Sequence, residues 1–458
     1  MFSKMMDERI VLDSWSESSP RQANRLSDSS KENAGREMHA LAAELFPLPR
    51  SLTGNGVRDT LRILRRHLPK LQIHEVPTGT KCFDWVVPPE WNCREAFILT
   101  PNGDRIADFA VSNLHVVGYS TPVDSTVSLE ELQQHLYSLP EQPDAIPYIT
   151  SYYEERWGFC LTHRQRESLG PGKYTVRIDS KLAPGSLTYG EFFIPSNAGN
   201  GQEIFLSTYV CHPSLANNEL SGPVVTTFLA KWIAALPQRN FSYRIVFIPE
   251  TIGSITYLSR NLADMKKRIV AGFNVSCVGD DRTYSYLPSR SGDTLADRVA
   301  LHVLKHISPG FVRYTFLDRG SDERQYCSPG VDLPVATVMR TKYGAYPEYH
   351  TSLDDLNLIT PSGLSGGFSA LAHCILCLEK NETLQTTILG EPQLGSRGLY
   401  PTLSRKGTMG EVKTMMNLLA YCDGKQDLLN IAETIGVPMW ECFQVVETLK
   451  ANQLLRSV

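Results

Sequence analysis

Two histidines and a small set of carboxylates stand where chemistry could be done. His212 falls in Tyr209-Val-Cys-His-Pro-Ser-Leu-Ala-Asn-Asn-Glu-Leu-Ser-Gly222, with Asn218 and Glu219 a few residues on. Glu250 falls in Phe247-Ile-Pro-Glu-Thr-Ile-Gly253, and His350 in Tyr346-Pro-Glu-Tyr-His-Thr-Ser-Leu-Asp-Asp355. Each cluster follows an apolar run that reads as a strand, and sites in doubly wound sheets form at the carboxyl ends of strands. Neutral imidazoles and carboxylates converging on one point, with a coordination position left for water, are what a divalent metal requires. A further carboxylate must then take a proton from that water.

Other groups carry less. Asp354 and Asp355 follow His350 closely and either orient its imidazole or cap a helix. The run Asp322-Glu323-Arg324 either binds the polar end of a substrate, such as an amino group, or is a solvated charge run. His302 and His306 share a helix face at metal-ligand spacing, but no third ligand accompanies them, and they read as surface residues. Tyr152, Tyr153 and Trp157 read as packing.

The elements that must position these residues alternate in type. Strands are expected over 203–210, 243–248, 269–278 and 335–339, and helices over 222–236, 252–262, 295–306 and 364–379. Such alternation predicts an α/β fold with a doubly wound, largely parallel sheet covered on both faces. Residues 36–75, with two amphipathic helices, join 170–380 in this unit. Residues 76–169 change character: Trp85-Val-Val-Pro-Pro-Glu-Trp91, an Asn102-Gly103 turn signal and an alternating run over 111–119 read as short strands, with one helix near 129–139. This is an inserted β-rich subdomain. Residues 1–35 are polar and read as a flexible tail, 381–400 as a linker, and 401–458 as a winged helix with three short helices.

Whole-chain properties narrow the class. A chain of 458 residues implies two or three compact units, and a net charge of −4 offers no strongly electrostatic partner such as nucleic acid. Ten scattered cysteines without zinc-ribbon spacing fit a reducing compartment. No secretory signal or membrane-length apolar run is evident, so a cytoplasmic location is expected.

The motifs resemble those of the zinc aminopeptidase superfamily, which includes bacterial leucyl aminopeptidase and glutaminyl cyclase. They resemble more closely a bacterial aminopeptidase-like family of poorly defined function. The likeness rests on the three segments above, Gly320-Ser-Asp-Glu-Arg-Gln-Tyr326, the Trp85–Trp91 signature and the C-terminal winged helix, and it covers nearly everything after residue 35. It implies that His212 and His350 are the first and last metal histidines. The metal-bridging carboxylate of the superfamily falls on Asn218, so Glu219 is expected to take over as ligand. Adjacent glutamates are reduced to Glu250 alone after Pro249, and the aspartate expected on the third strand is replaced by Ser276. One zinc held by His212, Glu219 and His350 is therefore expected, with Glu250 activating water or serving as a ligand, and Asn218 and Asp354 lying outside them. The implied activity is hydrolysis of an amide in a small peptide or aminoacylated small molecule. A degenerate protein that only binds or regulates is the competing expectation.

The winged helix carries Lys413, Lys425, Lys450 and Arg456 against Glu411, Asp423, Asp427, Glu433, Glu441 and Glu447. The helix expected to be its recognition helix, 439–449, bears Glu441 and Glu447, which would repel phosphates. Protein contact or homo-oligomer formation is expected of it in preference to DNA binding.

Overall fold

The computed structural model describes residues 28–152, 154–399 and 409–458. Most of the expected tail, Tyr153 and residues 400–408 lie outside them.

An eight-stranded sheet forms the centre. Its strands are β1 (Gln72–Pro77), β2 (Ser186–Ile194), β3 (Glu203–Tyr209), β4 (Ser242–Ile248), β5 (Ile269–Asn274), β6 (Ser285–Leu287), β7 (Val312–Arg313) and β8 (Val335–Met339). Their order is β1-β2-β4-β3-β5-β8-β6-β7. The middle four, β4, β3, β5 and β8, run parallel. The sheet is mixed at its flanks, where β2 joins β4 and β6 joins β8 in antiparallel pairs. Ile204 and Leu206 enter one core and Phe205 the other, as do Ile245 and Phe247 against Val246 and Ile248. This two-residue alternation is what a strand buried on both faces produces.

One face is covered by α1 (Asp28–Leu45), α2 (Asn55–His67), α3 (Ser221–Ala235), α5 (Leu295–Ile307) and α7 (Pro361–Lys380), and the other by α4 (Ile252–Arg268) and the short α6 (Glu323–Tyr326). Met38, Leu41, Ala42 and Leu45 form the buried stripe of α1, at the spacing of one helical face. Helix α7 is long and apolar enough to cross a membrane, but 67% of that window is buried inside the protein, as expected of a core helix.

The inserted unit is built on a four-stranded antiparallel sheet made by Arg105–Ile106, Glu90–Leu99, Lys173–Ala183 and Val123–Ser128, in that order. It has its own core around Trp91, Ile98, Phe159 and Val176. Lys173–Ala183, which sequence reading gives to the catalytic unit, is thus a central strand of the insert. The run expected as a strand over 111–119 instead makes a 3₁₀ turn at Asn113–His115, because the Ser112 hydroxyl accepts the Leu114 N–H and starts a turn there.

At the C-terminus, α8 (Met409–Tyr421), α9 (Leu428–Ile435) and α10 (Met439–Ala451) pack on a three-stranded sheet. That sheet joins Asp423–Asp427, Thr383–Thr386 and Leu455–Ser457, so the segment expected as linker supplies its middle strand. His302 is not a surface residue. It is 1% exposed, contacts Glu433 through Nδ1 and accepts the Met439 N–H at Nε2 (2.8 Å). Both ring nitrogens are therefore spent on holding the C-terminal unit. His306 also leaves the surface reading, with Nε2 buried and its ring against Trp440.

Candidate active site

Strand β3 ends at Tyr209, and the chain turns into a single π-helical turn, Ala216–Leu220, before α3. Gly222 permits this approach: a Cβ there would lie 2.4 Å from the Val275 carbonyl oxygen. His212 is held with its two nitrogens facing different ways. Its Nδ1 lies 2.8 Å from Glu219 Oε2, and its Nε2 faces Glu250 Oε2 at 3.6 Å. Each ring nitrogen thus faces a carboxylate, with Nδ1 at hydrogen-bonding distance and Nε2 farther from its partner.

Glu219 is completely buried behind His212, and Arg50 stands 3.6 Å from its second oxygen. Arg50 also donates to the His212 carbonyl (2.7 Å) and to the Leu45 carbonyl (2.6 Å). Sequence reading did not find Arg50, which lies over 160 positions before His212 in the turn between α1 and α2. Cys211, His212 and Glu219 offer ligand atoms within 4.8 Å of one another. Within that group, Cys211 Sγ accepts the Glu250 N–H (3.2 Å) and Glu219 Oε2 meets His212 Nδ1 (2.8 Å). Glu219, expected as a ligand, thus stands on the far side of the ring from Glu250.

His350 adopts φ +57° on the loop after β8, with its ring centroid 5.6 Å from that of His212. Tyr349 stacks on it at 3.9 Å. Its Nε2 is buried and has no hydrogen-bond partner. Asp354 does not orient this imidazole. It accepts the Asn217 and Asn218 N–H groups (2.6 and 3.0 Å) and the Tyr346 hydroxyl (3.0 Å), so it caps the π-helical turn beside His212. Asp355 caps its own turn through the Asn357 N–H. Asn218 donates to the Tyr209 hydroxyl (2.6 Å), which in turn meets Ser276, so a chain of neutral groups fills this flank.

The insert reaches the site directly. Tyr148 lies edge-on to both imidazoles, at 5.2 Å from His212 and 5.0 Å from His350. Its N–H donates to the His350 carbonyl (2.8 Å), and Ile146 and Ser352 exchange hydrogen bonds beside it. Between insert and catalytic unit runs a narrow cleft lined by Arg50, Trp91, Phe109, Tyr148, Tyr152 and Pro213. The aromatic run thus supplies a cleft wall through Tyr152, whereas Trp157 stacks on His135.

Asp322 and Glu323 are buried, not a solvated run. Glu323 accepts from the Gly320 and Ser321 N–H groups, the Tyr343 hydroxyl and the Asn274 amide, so both its oxygens are engaged inside the protein. Asp322 accepts from the Thr251 N–H and the Ser254 hydroxyl, both at 2.7 Å, and the exposed Arg324 donates to the Thr251 hydroxyl (2.6 Å). Asp322 and Arg324 therefore support the segment around Glu250, and Glu323 anchors their own loop.

Electrostatics separate the two histidines. Burial would lower the His212 pKa, but Cys211 and Glu219 outweigh it and hold it well above the usual imidazole value. Burial, and then His212 itself, push His350 down to about 3. Burial raises Glu250, and burial together with Glu250 raises Asp322 to about 8. A half-buried carboxylate of raised pKa facing His212 is suited to accept and return a proton. Two donors for a zinc ion are present: His212 Nε2, once its proton is displaced, faces a carboxylate, and the Nε2 of His350, on a ring centred 5.6 Å away, is buried without a partner.

Comparison with known proteins agrees with this architecture. Residues 39–381 match the model of a domain of unknown function, DUF4910, and residues 382–457 match a winged helix-turn-helix model. A candidate polysaccharide biosynthesis protein with an aminopeptidase-like domain, from Clostridium acetobutylicum, is 43% identical over 95% of this chain and 99% of its own. The crystal structure of a candidate peptidase from the same organism superposes with a TM-score of 0.89 at 41% identity, covering 96% of this chain and 100% of the other. A zinc aminopeptidase from Bacillus subtilis shares the fold at a TM-score of 0.55 and 12% identity, over 75% of this chain and 94% of its own.

Proposed function

Because the chain belongs to the DUF4910 family and carries its catalytic-unit fold on zinc-aminopeptidase architecture, we propose that it is a zinc-dependent hydrolase of an amide bond in a small peptide or aminoacylated metabolite. The observation that carries this reading is the division of His212: Nδ1 is tied to buried Glu219 and Nε2 is turned to Glu250, while His350, with an unpartnered Nε2, has its ring centred 5.6 Å away. His212 and His350 would hold one zinc through Nε2. Glu250 would ligate it or act as base. Glu219 keeps the His212 tautomer and compensates charge instead of ligating, which revises the role expected of it.

When bound, the ion supplies Lewis-acid polarisation of the scissile carbonyl and acidification of water. Glu250 accepts the proton of the attacking water, and its burial-raised pKa favours delivery to the departing amine. Tyr148 and Tyr349 cover the imidazoles and limit access of bulk water. Asn218 and Ser276 stand where the superfamily resemblance places carboxylates, which supports one ion rather than two. The relative named for polysaccharide biosynthesis directs substrate screening first to amide-bearing amino sugars. Free thiols at all ten cysteines support a reducing, cytoplasmic setting.

The test is zinc content by elemental analysis of protein purified without added metal, with His212→Ala and His350→Ala alongside. About one zinc per chain, lost in both variants, is the outcome expected. No zinc in the wild type after reconstitution would overturn the reading. It would favour the alternative that the neutral Asn218–Tyr209–Ser276 chain motivates, a protein that binds a ligand without turnover.

A further inference from the structure

Glu250 is followed by Thr251 at φ +64° and ψ −75°, with the Ile252 N–H donating back to the Glu250 carbonyl at 2.8 Å. This is a γ-turn of the rare, positive-φ kind, and a β-branched residue at its centre is a conformational outlier. Such a residue persists only where its surroundings over-determine it. Here Asp322, 0% exposed, takes the Thr251 N–H and the Ser254 hydroxyl on one oxygen, while Arg324 grips the Thr251 hydroxyl from outside. Glu323 anchors the loop of Asp322 and Arg324 to four donors. The second Asp322 oxygen is buried without a partner.

We propose that Asp322 and Arg324 form a clamp that holds Thr251 in its left-handed turn and so aims the Glu250 carboxylate at His212 Nε2. They are positioning residues, and neither touches the reacting atoms. Released from the clamp, Thr251 relaxes to negative φ, and the Glu250 side chain swings with the peptide it shares. The functional part of this proposal rests on the hydrolase reading above. The strain and the clamp do not.

Two measurements test it. In the first, the full chain is unfolded in urea as wild type, Thr251→Gly, Asp322→Ala and the double variant. Glycine takes positive φ without steric cost, so Thr251→Gly raises the midpoint of the wild type and fails to raise that of Asp322→Ala, where the strain has already gone. Equal shifts in the two backgrounds overturn the clamp. In the second, the same proteins, with Asp322→Asn and Arg324→Ala, are loaded with Co²⁺ alone, and the visible absorption is recorded. Asp322→Ala and Arg324→Ala change the spectrum. Asp322→Asn, which keeps the accepting oxygen, retains the wild-type spectrum, and Thr251→Gly restores it to Asp322→Ala. A spectrum that Asp322→Ala leaves unchanged, or that Thr251→Gly does not restore, overturns the aiming role. A wild type that takes up no Co²⁺ removes the hydrolase reading, and the clamp then stands or falls on the urea cycle.

Discussion

Arg50 and Glu219 form an ion pair with neither side chain exposed, the guanidinium Nε lying 3.6 Å from Oε1. The carboxylate it neutralises is the one that hydrogen-bonds to His212 Nδ1, so charge balance at the site depends on a residue outside the segments that carry His212 and His350. Replacing one partner of a buried pair strands the other, at a cost of about 3–5 kcal/mol. Arg50→Met is expected to lower the unfolding free energy by about that amount and to weaken zinc retention, measured by urea unfolding and by chelator competition. Arg50→Met with Glu219→Gln should recover part of the loss.

Glu219→Gln alone separates the two roles considered for this residue. If it orients His212 from behind, zinc stoichiometry stays near one while affinity falls on the order of 10–100-fold. Loss of the ion altogether, as in His212→Ala, would return Glu219 to the ligand set.

Asn218→Asp restores a carboxylate at the place the superfamily resemblance marks for the metal bridge. Because Tyr209 and Ser276 still fill that flank, metal content should remain near one per chain. The Tyr209 hydroxyl loses its amide donor, so stability should fall by about 1 kcal/mol. Two ions per chain would contradict the single-ion reading.

Docking of the C-terminal unit should weaken in acid. Burial lowers the His302 pKa, and a base lowered in the folded state contributes stability that is complete above its unfolded value, about 6.5. That contribution is lost as pH falls from about 6.5 toward the lowered value, because the unfolded chain binds the proton more readily. Glu433 is itself lowered despite its burial, through Lys305 and His302, so its share is lost as pH falls below the ordinary glutamate range. Limited proteolysis between pH 7 and pH 5 should show release of the winged helix first. His302→Ala, which leaves the buried Met439 N–H without an acceptor, should release it at pH 7.

Much of this was legible in the residues themselves. The apolar runs before His212 and Glu250 fix β3 and β4 because a strand buried on both faces admits little else, and the helices between them show their buried faces in the sequence. What stayed hidden was partnership. Asp322 and Glu323 read as a substrate-binding or a solvated run because the local sequence does not reveal that the Gly320 N–H, Tyr343 and Thr251 enclose them. His302 read as surface because its partners, Glu433 and Met439, come from another unit. The direction in which Glu219 faces depends on which imidazole nitrogen it meets, and spacing along the chain does not encode that.

The backbone exchange between Ile146–Tyr148 and His350–Ser352 bears on how this protein can be dissected. Excising the insert to obtain a minimal peptidase-like core would strip the His350 loop of its hydrogen-bonding neighbours as well as of the tyrosine above it. A truncated core would therefore have a disturbed site for reasons unrelated to ligand recognition, and grafting the insert onto another scaffold would carry part of the site away with it. The two units are separable as stretches of sequence and indivisible as a working machine.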